Sequence, residues 1–398
     1  MFNITEKTSD ILSIIFICLL TKIAWFASIN TNSFWTDEIA TITYSSGSFI
    51  DIFNYMVNGE FNPPLFYMLE NVMISLFGVS ELTLRFIPYI ASILLIPVVY
   101  YLAKKLTNDR YVCWFSATII AILPFIFYYS IEARCYTFAL LLYTLGIYYY
   151  VTKNYTMAFI LLGLLSWTHF YGIIFSIPIA LHYLIGYKDR GFIKHIFIYI
   201  GINLPLLIPL YHLMALKQSA DVGWGLNYLD ILPQFFSEAG GMNILSGVIL
   251  FVLFFIGMLL YKNKIIKLIY LLPLIITPIL TIFINISTRY LIYFIPFYVI
   301  MLSYPLIKID KKFMKACYCI LILFLLFPGL QTVAQESKID YRGAANYISE
   351  NIDINTQIIV LPLTRENCFK HYYHKNNTIL SFEPYDINGL GLTLSRKT

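Results

Sequence analysis

The sequence predicts an all-α polytopic membrane protein, and three observations carry that prediction. Hydrophobic residues make up 59% of the 398 residues, charged residues only 12%, and the mean hydropathy is +0.73. Ordinary soluble domains are roughly 25% charged. Apolar runs close to the roughly 20 residues that cross a hydrocarbon core about 30 Å thick recur along the whole chain. Lysine and arginine fall between those runs with a strong bias to one side. Soluble multidomain enzymes, repeat arrays, disulfide scaffolds and disordered regulators are excluded. The formal net charge of +5 is accounted for by loop bias, without a nucleic-acid partner.

Taken in order, the candidate spans are residues 11–29, 86–103, 112–129, 135–152, 155–170, 172–187, 192–213, 243–261, 265–286, 289–307 and 313–332, about eleven transmembrane helices. One more apolar stretch, Pro63–Gly78, is about 16 residues long and carries Glu70 and Asn71. Charge decides its placement. If it does not cross, fifteen basic residues, among them Lys104, Lys105, Arg110, Lys153, Lys194 and Lys312, share one face. The other face then holds Arg85, Arg134, Lys217 and Arg289, with Lys22 inside the first span. A crossing would move fourteen of the fifteen outside, against the positive-inside bias. The stretch therefore reads as an interfacial or re-entrant helix, buried against protein in a long first outer loop.

This topology leaves the N-terminus inside and residues 333–398 outside. Residues 1–332 form the transmembrane domain and 333–398 a small external α/β tail with seven acids and seven bases. The tail carries a helix-like stretch at Tyr341–Asn351 and a strand-like run at Gln357–Leu361. The first span reads as an anchor, since its flank lacks a cleavage-site pattern. Five of six cysteines lie in or beside spans, so no intrachain disulfide is expected. Short inner loops without a targeting segment point to a bacterial plasma membrane, with the endoplasmic reticulum as the alternative.

Ionisable and polar residues gather at the outer ends of the spans: Asp37 and Glu38, Asn62-Pro63-Pro64, Arg85, Glu132 and Arg134, Tyr136, His169, Tyr171 and Arg289. Each has a plain alternative. An Asp-Glu pair sits well on a solvated face, Asn-Pro-Pro sets a turn, and arginines at helix ends snorkel to headgroups. Glu132 and Arg134 suit a local ion pair, and His169 suits an interior hydrogen bond. His371 and His374 in the tail lack the further ligands of a metal site. Their joint placement is the stronger signal, because ionisable groups at membrane depth are costly and mark function.

Six ordered pieces carry a resemblance: Trp35-Thr-Asp-Glu-Ile-Ala-Thr41, Asn62-Pro-Pro-Leu-Phe-Tyr67, Leu84-Arg-Phe-Ile-Pro88, Ser130-Ile-Glu-Ala-Arg-Cys-Tyr136, His169-Phe-Tyr171 and Arg289-Tyr290. The chain resembles the GT-C superfamily of polyprenyl-phosphate-sugar-dependent glycosyltransferases, most closely its protein O-mannosyltransferase and aminoarabinose-transferase branch. One departure is Asn62, where a histidine commonly precedes the Pro-Pro. The resemblance implies transfer of a sugar from a polyprenyl monophosphate to a hydroxyl of a lipid, glycan or protein, on the non-cytosolic face.

Residue chemistry fits those roles. Arginine's planar fork binds phosphate in a bidentate way, so Arg134 and Arg289, then Arg85, are candidates for the donor phosphate. Asp37 resembles the family's catalytic acid residue and would act as general base, with Glu38 supporting it or orienting the acceptor. Direct displacement with inversion is expected, since a retaining route needs a second carboxylate as nucleophile and Glu132 lies beside Arg134. Glu132, Tyr136, His169, Tyr171 and Asn62 are expected to position acceptor or donor. No cofactor is required by a monophosphate leaving group, while Asp37, Glu38 and His169 leave a divalent cation open. A glycolipid transporter or flippase and an envelope-glycan polymerase are the competing readings. The short helices at 155–170 and 172–187 are the expected place for a lateral opening to the isoprenoid.

Overall fold

The computed structural model describes residues 4–58, 62–186, 191–208, 211, 226–283, 285–335 and 338–382. Helices dominate: α1 (Ile4–Phe26), α2 (Thr36–Tyr44), α3 (Phe49–Val57), α4 (Leu65–Phe77), α5 (Glu81–Thr107), α6 (Arg110–Ile122), α7 (Pro124–Ser130), α8 (Tyr136–Val151), α9 (Tyr155–Ser166), α10 (Tyr171–Gly186) and α11 (Gly191–Asn203). They continue as α12 (Ile231–Ala239), α13 (Ile244–Leu260), α14 (Lys264–Leu280), a 3-10 run Thr288–Phe294 leading into α15 (Ile295–Ser303), and α16 (Lys312–Gln335). The tail adds α17 (Tyr341–Asn351), β1 (Ile358–Val360), α18 (Glu366–Tyr372) and β2 (Ile379–Ser381).

Helix starts follow local chemistry. Ser80, Asp109, Asn154, Asn243 and Asn263 each accept a backbone N–H from the first turn of α5, α6, α9, α13 and α14. The expected span 112–129 is bent by 50° between α6 and α7. Pro124 opens the second piece, where a missing N–H costs nothing. A second break, of 92°, separates α12 from α13. It needs Gly241 at φ +95°, and a Cβ on Gly240 would stand 2.5 Å from the Gly247 Cα.

Each of the eleven expected spans overlaps helix; residues 187, 209, 210, 212, 213 and 284 lie outside the described residues. Among the described residues, three helices are long and apolar enough to cross a bilayer alone, or five if each bent pair is one span. Six other apolar helices have 10–17 residues. Helix length alone therefore does not reach eleven. The helix at Ile231–Ala239 was outside every expected span. Pro63–Gly78 folds as the 13-residue α4, which buries Phe66, Tyr67 and Glu70 and packs on α2, α3 and α5.

A continuous apolar core runs through α5, α6, α8–α10 and α12–α16. At one end Asp10 accepts a hydrogen bond from Tyr100 Oη at 2.7 Å and pairs with Arg110 at 3.3 Å. The opposite end carries α2–α4 and the tail. The tail's two strands pair in parallel, Ile359 opposite Leu380. Its helices share a second small core with α2, the start of α5 and the turn after α7, containing Phe34, Ile39, Leu84, Ala133, Tyr341, Cys368 and Phe369. No disulfide forms among the described residues.

Candidate active site

Asp37 and Glu38 occupy the first turn of α2, where the positive end of the helix dipole favours carboxylates. They turn opposite ways. Glu38 is fully buried. Its Oε1 accepts from Arg85 Nε at 2.8 Å and from the Ala133 N–H at 2.9 Å. Its Oε2 accepts from Arg85 Nη2 at 2.8 Å and the Trp35 N–H at 3.3 Å. Burial pushes the Glu38 carboxyl up, but the Arg85 guanidinium, Lys338 and the Ala133 N–H outweigh it and hold the carboxyl below its ordinary value.

Arg85 also donates to the carbonyls of Ile29, Asn32 and Ser33 at 2.5, 3.0 and 3.4 Å. Its five N–H groups are thus all met by protein acceptors. The expectation that Arg85 takes the donor phosphate does not fit this closed pair, and Glu38 has no oxygen left for substrate chemistry. Sequence could not reveal this, because the pairing spans 47 residues through a fold contact.

Asp37 faces a polar opening with its side chain 29% exposed, and its Oδ2 accepts from Arg289 Nη1 at 3.2 Å. Arg289 sits in the 3-10 run, 20% exposed, with its guanidinium 5.5 Å from the Tyr136 ring centroid. Its Nε is buried without a partner. Arg134 is held by the tight turn after α7. Its Nη1 donates to the Asp37 carbonyl at 3.1 Å and Thr41 Oγ1 at 3.4 Å, and its Nε has no partner. Among the described residues Arg134 forms no ion pair at contact distance. Both arginines lie within electrostatic reach of Asp37, Tyr136 and His169. Two cations with buried, unsatisfied N–H groups beside one accessible carboxylate form a ready anion site.

His169 shares a hydrogen bond with Tyr293 Oη at 2.8 Å, and its ring meets Tyr136 and Tyr290 edge-on. Tyr171 Oη bonds Thr277 Oγ1 at 2.6 Å, and its ring lies 5.5 Å from Tyr290. Asn62 donates to Tyr67 Oη at 3.4 Å, and Tyr67 in turn lies within electrostatic reach of Arg134. Glu132 is buried and paired with Lys338 at 2.6 Å. Burial pushes the Glu132 carboxyl above its ordinary value, partly offset by Lys338.

Asp37, Glu38, Arg85, Glu132, Arg134, Tyr136, His169 and Arg289 therefore cluster, with Tyr171 and Asn62 at its edge. Sequence reasoning missed Lys338, counted only as a tail charge, and Tyr293, which resembles any other span aromatic. It also missed Glu238, whose Oε2 accepts from Thr288 Oγ1 at 2.6 Å next to Arg289. Among the described residues no three His, Cys, Asp or Glu side chains converge as metal ligands.

An apolar helical bundle carries this charged cluster at one end. Residues 62–214 match the family model described as dolichyl-phosphate-mannose-protein mannosyltransferase. The fold resembles ArnT from Cupriavidus metallidurans in the apo state, with TM-score 0.62 and 12% identity over 94% of this chain and 86% of that one. The same enzyme bound to undecaprenyl phosphate gives TM-score 0.61 and 11% identity, covering 96% and 91%. The archaeal oligosaccharyltransferase AglB from Archaeoglobus fulgidus, in complex with an inhibitory peptide and a dolichol-phosphate, gives TM-score 0.57 and 14% identity over 94% of this chain and 64% of that one. No curated protein matches by sequence. The structural likenesses show a common fold, and the family-model match over residues 62–214 supports the expected resemblance to the GT-C superfamily of glycosyltransferases.

Proposed function

We propose that this chain moves a sugar from a polyprenyl monophosphate to a hydroxyl of a lipid, glycan or protein acceptor, with inversion. The observation that carries this reading is the pair Arg134 and Arg289, with unsatisfied N–H groups flanking the partly exposed Asp37. Asp37 takes the proton of the acceptor hydroxyl as its oxygen bonds to the sugar's anomeric carbon. The bond from that carbon to the phosphate oxygen breaks on the opposite face. The phosphate keeps the electron pair, and Arg134 and Arg289 meet its growing charge in a partly water-excluded setting. Glu132, the second carboxylate that a retaining route would use, is sequestered by Lys338. Glu38 and Arg85 form the rigid floor that orients α2. His169, fixed by Tyr293, supports the vestibule wall with Tyr136.

The donor's chain also has a place. A cleft of about 910 Å³ between α12, α13 and α14 is lined by Phe236, Val248, Phe251, Phe255, Leu271 and Ile275, with Gln234 and Ser237 also along it. Ser237 adjoins Glu238, which reaches the Arg289 region through Thr288. This supports an isoprenoid path along α12–α14 in place of the short helices α9 and α10. Eleven crossings, with the site and tail on the external side of the plasma membrane, follow from the basic-residue bias. An alternating-access transporter is not favoured, since the ionisable groups gather at one end.

The test is reconstitution of the purified chain in liposomes with a panel of polyprenyl-monophosphate sugars and envelope acceptors. Transfer from at least one donor, abolished by Asp37→Asn, is the expected result. No transfer from any monophosphate donor overturns the proposal.

A further inference from the structure

Nothing in the transfer mechanism uses the external tail, yet one of its residues enters the buried charge cluster. Lys338 donates from Nζ to Glu132 Oε1 at 2.6 Å and stands 5.2 and 5.4 Å from the ring centroids of Trp35 and Tyr128. Its backbone N–H donates to Asn32 Oδ1 at 3.3 Å, so the ammonium is anchored at the stem as well. Glu132 is 1% exposed, and its Oε2 has no partner. The same turn uses its backbone for the site. The Glu132 carbonyl accepts the Arg134 N–H at 2.7 Å, the Ala133 N–H donates to Glu38, and the Ala133 carbonyl accepts from Thr41.

We infer that Lys338 is a positioning residue of the active site, which neutralises Glu132 and thereby keeps Arg289 free for the phosphate. The inference rests on the glycosyltransferase reading above. Its physical basis is the cost of an unpaired buried charge. Without the ammonium, Glu132 has two outcomes: it takes a proton, or it ionises and draws on the site cation that faces it, Arg289. The charged and titratable groups facing Glu132 are Lys338 from the tail, Glu38 from α2, Arg85 from α5, Tyr129 from α7 and Arg289 from the 3-10 run. Arg85 is committed to Glu38, so Arg289, already beside Asp37, is the site cation that an ionised Glu132 would draw away from the phosphate.

The test compares wild type, Lys338→Met, and Lys338→Met combined with Glu132→Gln, in detergent, for binding of undecaprenyl phosphate and for thermal melting between pH 5.5 and 8.5. The single variant is expected to bind at least about tenfold more weakly at the alkaline end of this range, with the loss shrinking toward the acid end as ionisation of the unpaired Glu132 recedes. The melting temperature follows the same pH trend. The double variant regains binding, because a neutral amide needs no counter-charge. A tail that merely docks would not be rescued by a change at residue 132. Unchanged binding in Lys338→Met, or a loss that Glu132→Gln leaves in place, overturns the inference alone. Wild type that binds undecaprenyl phosphate but transfers no sugar overturns only the transfer reading. Wild type that does not bind it overturns both.

Discussion

Asp37 and Glu38 are adjacent in sequence and opposite in fate. One is accessible beside Arg289; the other is sealed against Arg85. Asp37→Asn is expected to lower kcat by about 10²–10⁴, the usual contribution of a general base, while undecaprenyl phosphate binding and melting temperature stay near wild type. Glu38→Gln should instead strip Arg85 of its counter-charge and destabilise the fold by about 3–5 kcal/mol, read as lost monodisperse protein on size-exclusion chromatography. The pH signature follows from the lowered Glu38 carboxyl. Its stabilising contribution is present above the ordinary carboxylate value of 4.5 and is lost as pH falls below it. Acid melting curves should therefore flatten in Glu38→Gln relative to wild type. The candidate set was legible as residues but not as roles. An Asp-Glu pair and three arginines at span ends are visible in the chain, whereas which carboxylate is spent on which arginine is decided by contacts across α2, α5 and the turn after α7.

At the scale of elements, hydropathy made most helices legible, because roughly 20 apolar residues admit little else. Amphipathic α12 escaped because its nine residues lie outside any such run, and the proline-driven break between α6 and α7 was hidden inside one. Charge bias alone kept α4 out of the spans, since its 13 residues are no fewer than those of α9 or α11. That helix carries an oddity. Glu70 is fully buried and neither oxygen has a partner. Burial pushes its carboxyl well above the ordinary value, so folding favours the protonated form. Wild-type stability should then decline as pH rises above about 4.5, and Glu70→Gln should remove that slope in thermal melts. Helix contact sets another limit. A Cβ on Gly257 of α13 would lie 1.9 Å from the Met301 carbonyl of α15. Gly257→Ala should force the two helices apart and lower the yield of folded protein in detergent.

Across the whole molecule, charge divides the two ends of the bundle. Asp10, Lys104 and Arg110 meet at one end, and the arginine cluster with the tail at the other. Cysteines introduced at Lys311 and at Lys375 should label from opposite sides of sealed vesicles, and labelling from the same side would refute the proposed crossing pattern. The tail was legible in its helix at Tyr341–Asn351 and its strand near Ile358. Its attachment was not, since no local pattern encodes a partner three hundred positions upstream.

That attachment sets an order of events during synthesis. Ser33 bonds Asp340, and the Phe34 N–H donates to Tyr372 Oη, across separations of 307 and 338 residues. The loop bearing Asp37 therefore leaves the ribosome some three hundred residues ahead of its clasp. A nascent chain halted between residues 335 and 340 carries every described helix of the bundle and no clasp. The cap over α2 thus closes only after the bundle has been made, when a late segment folds back onto an early one.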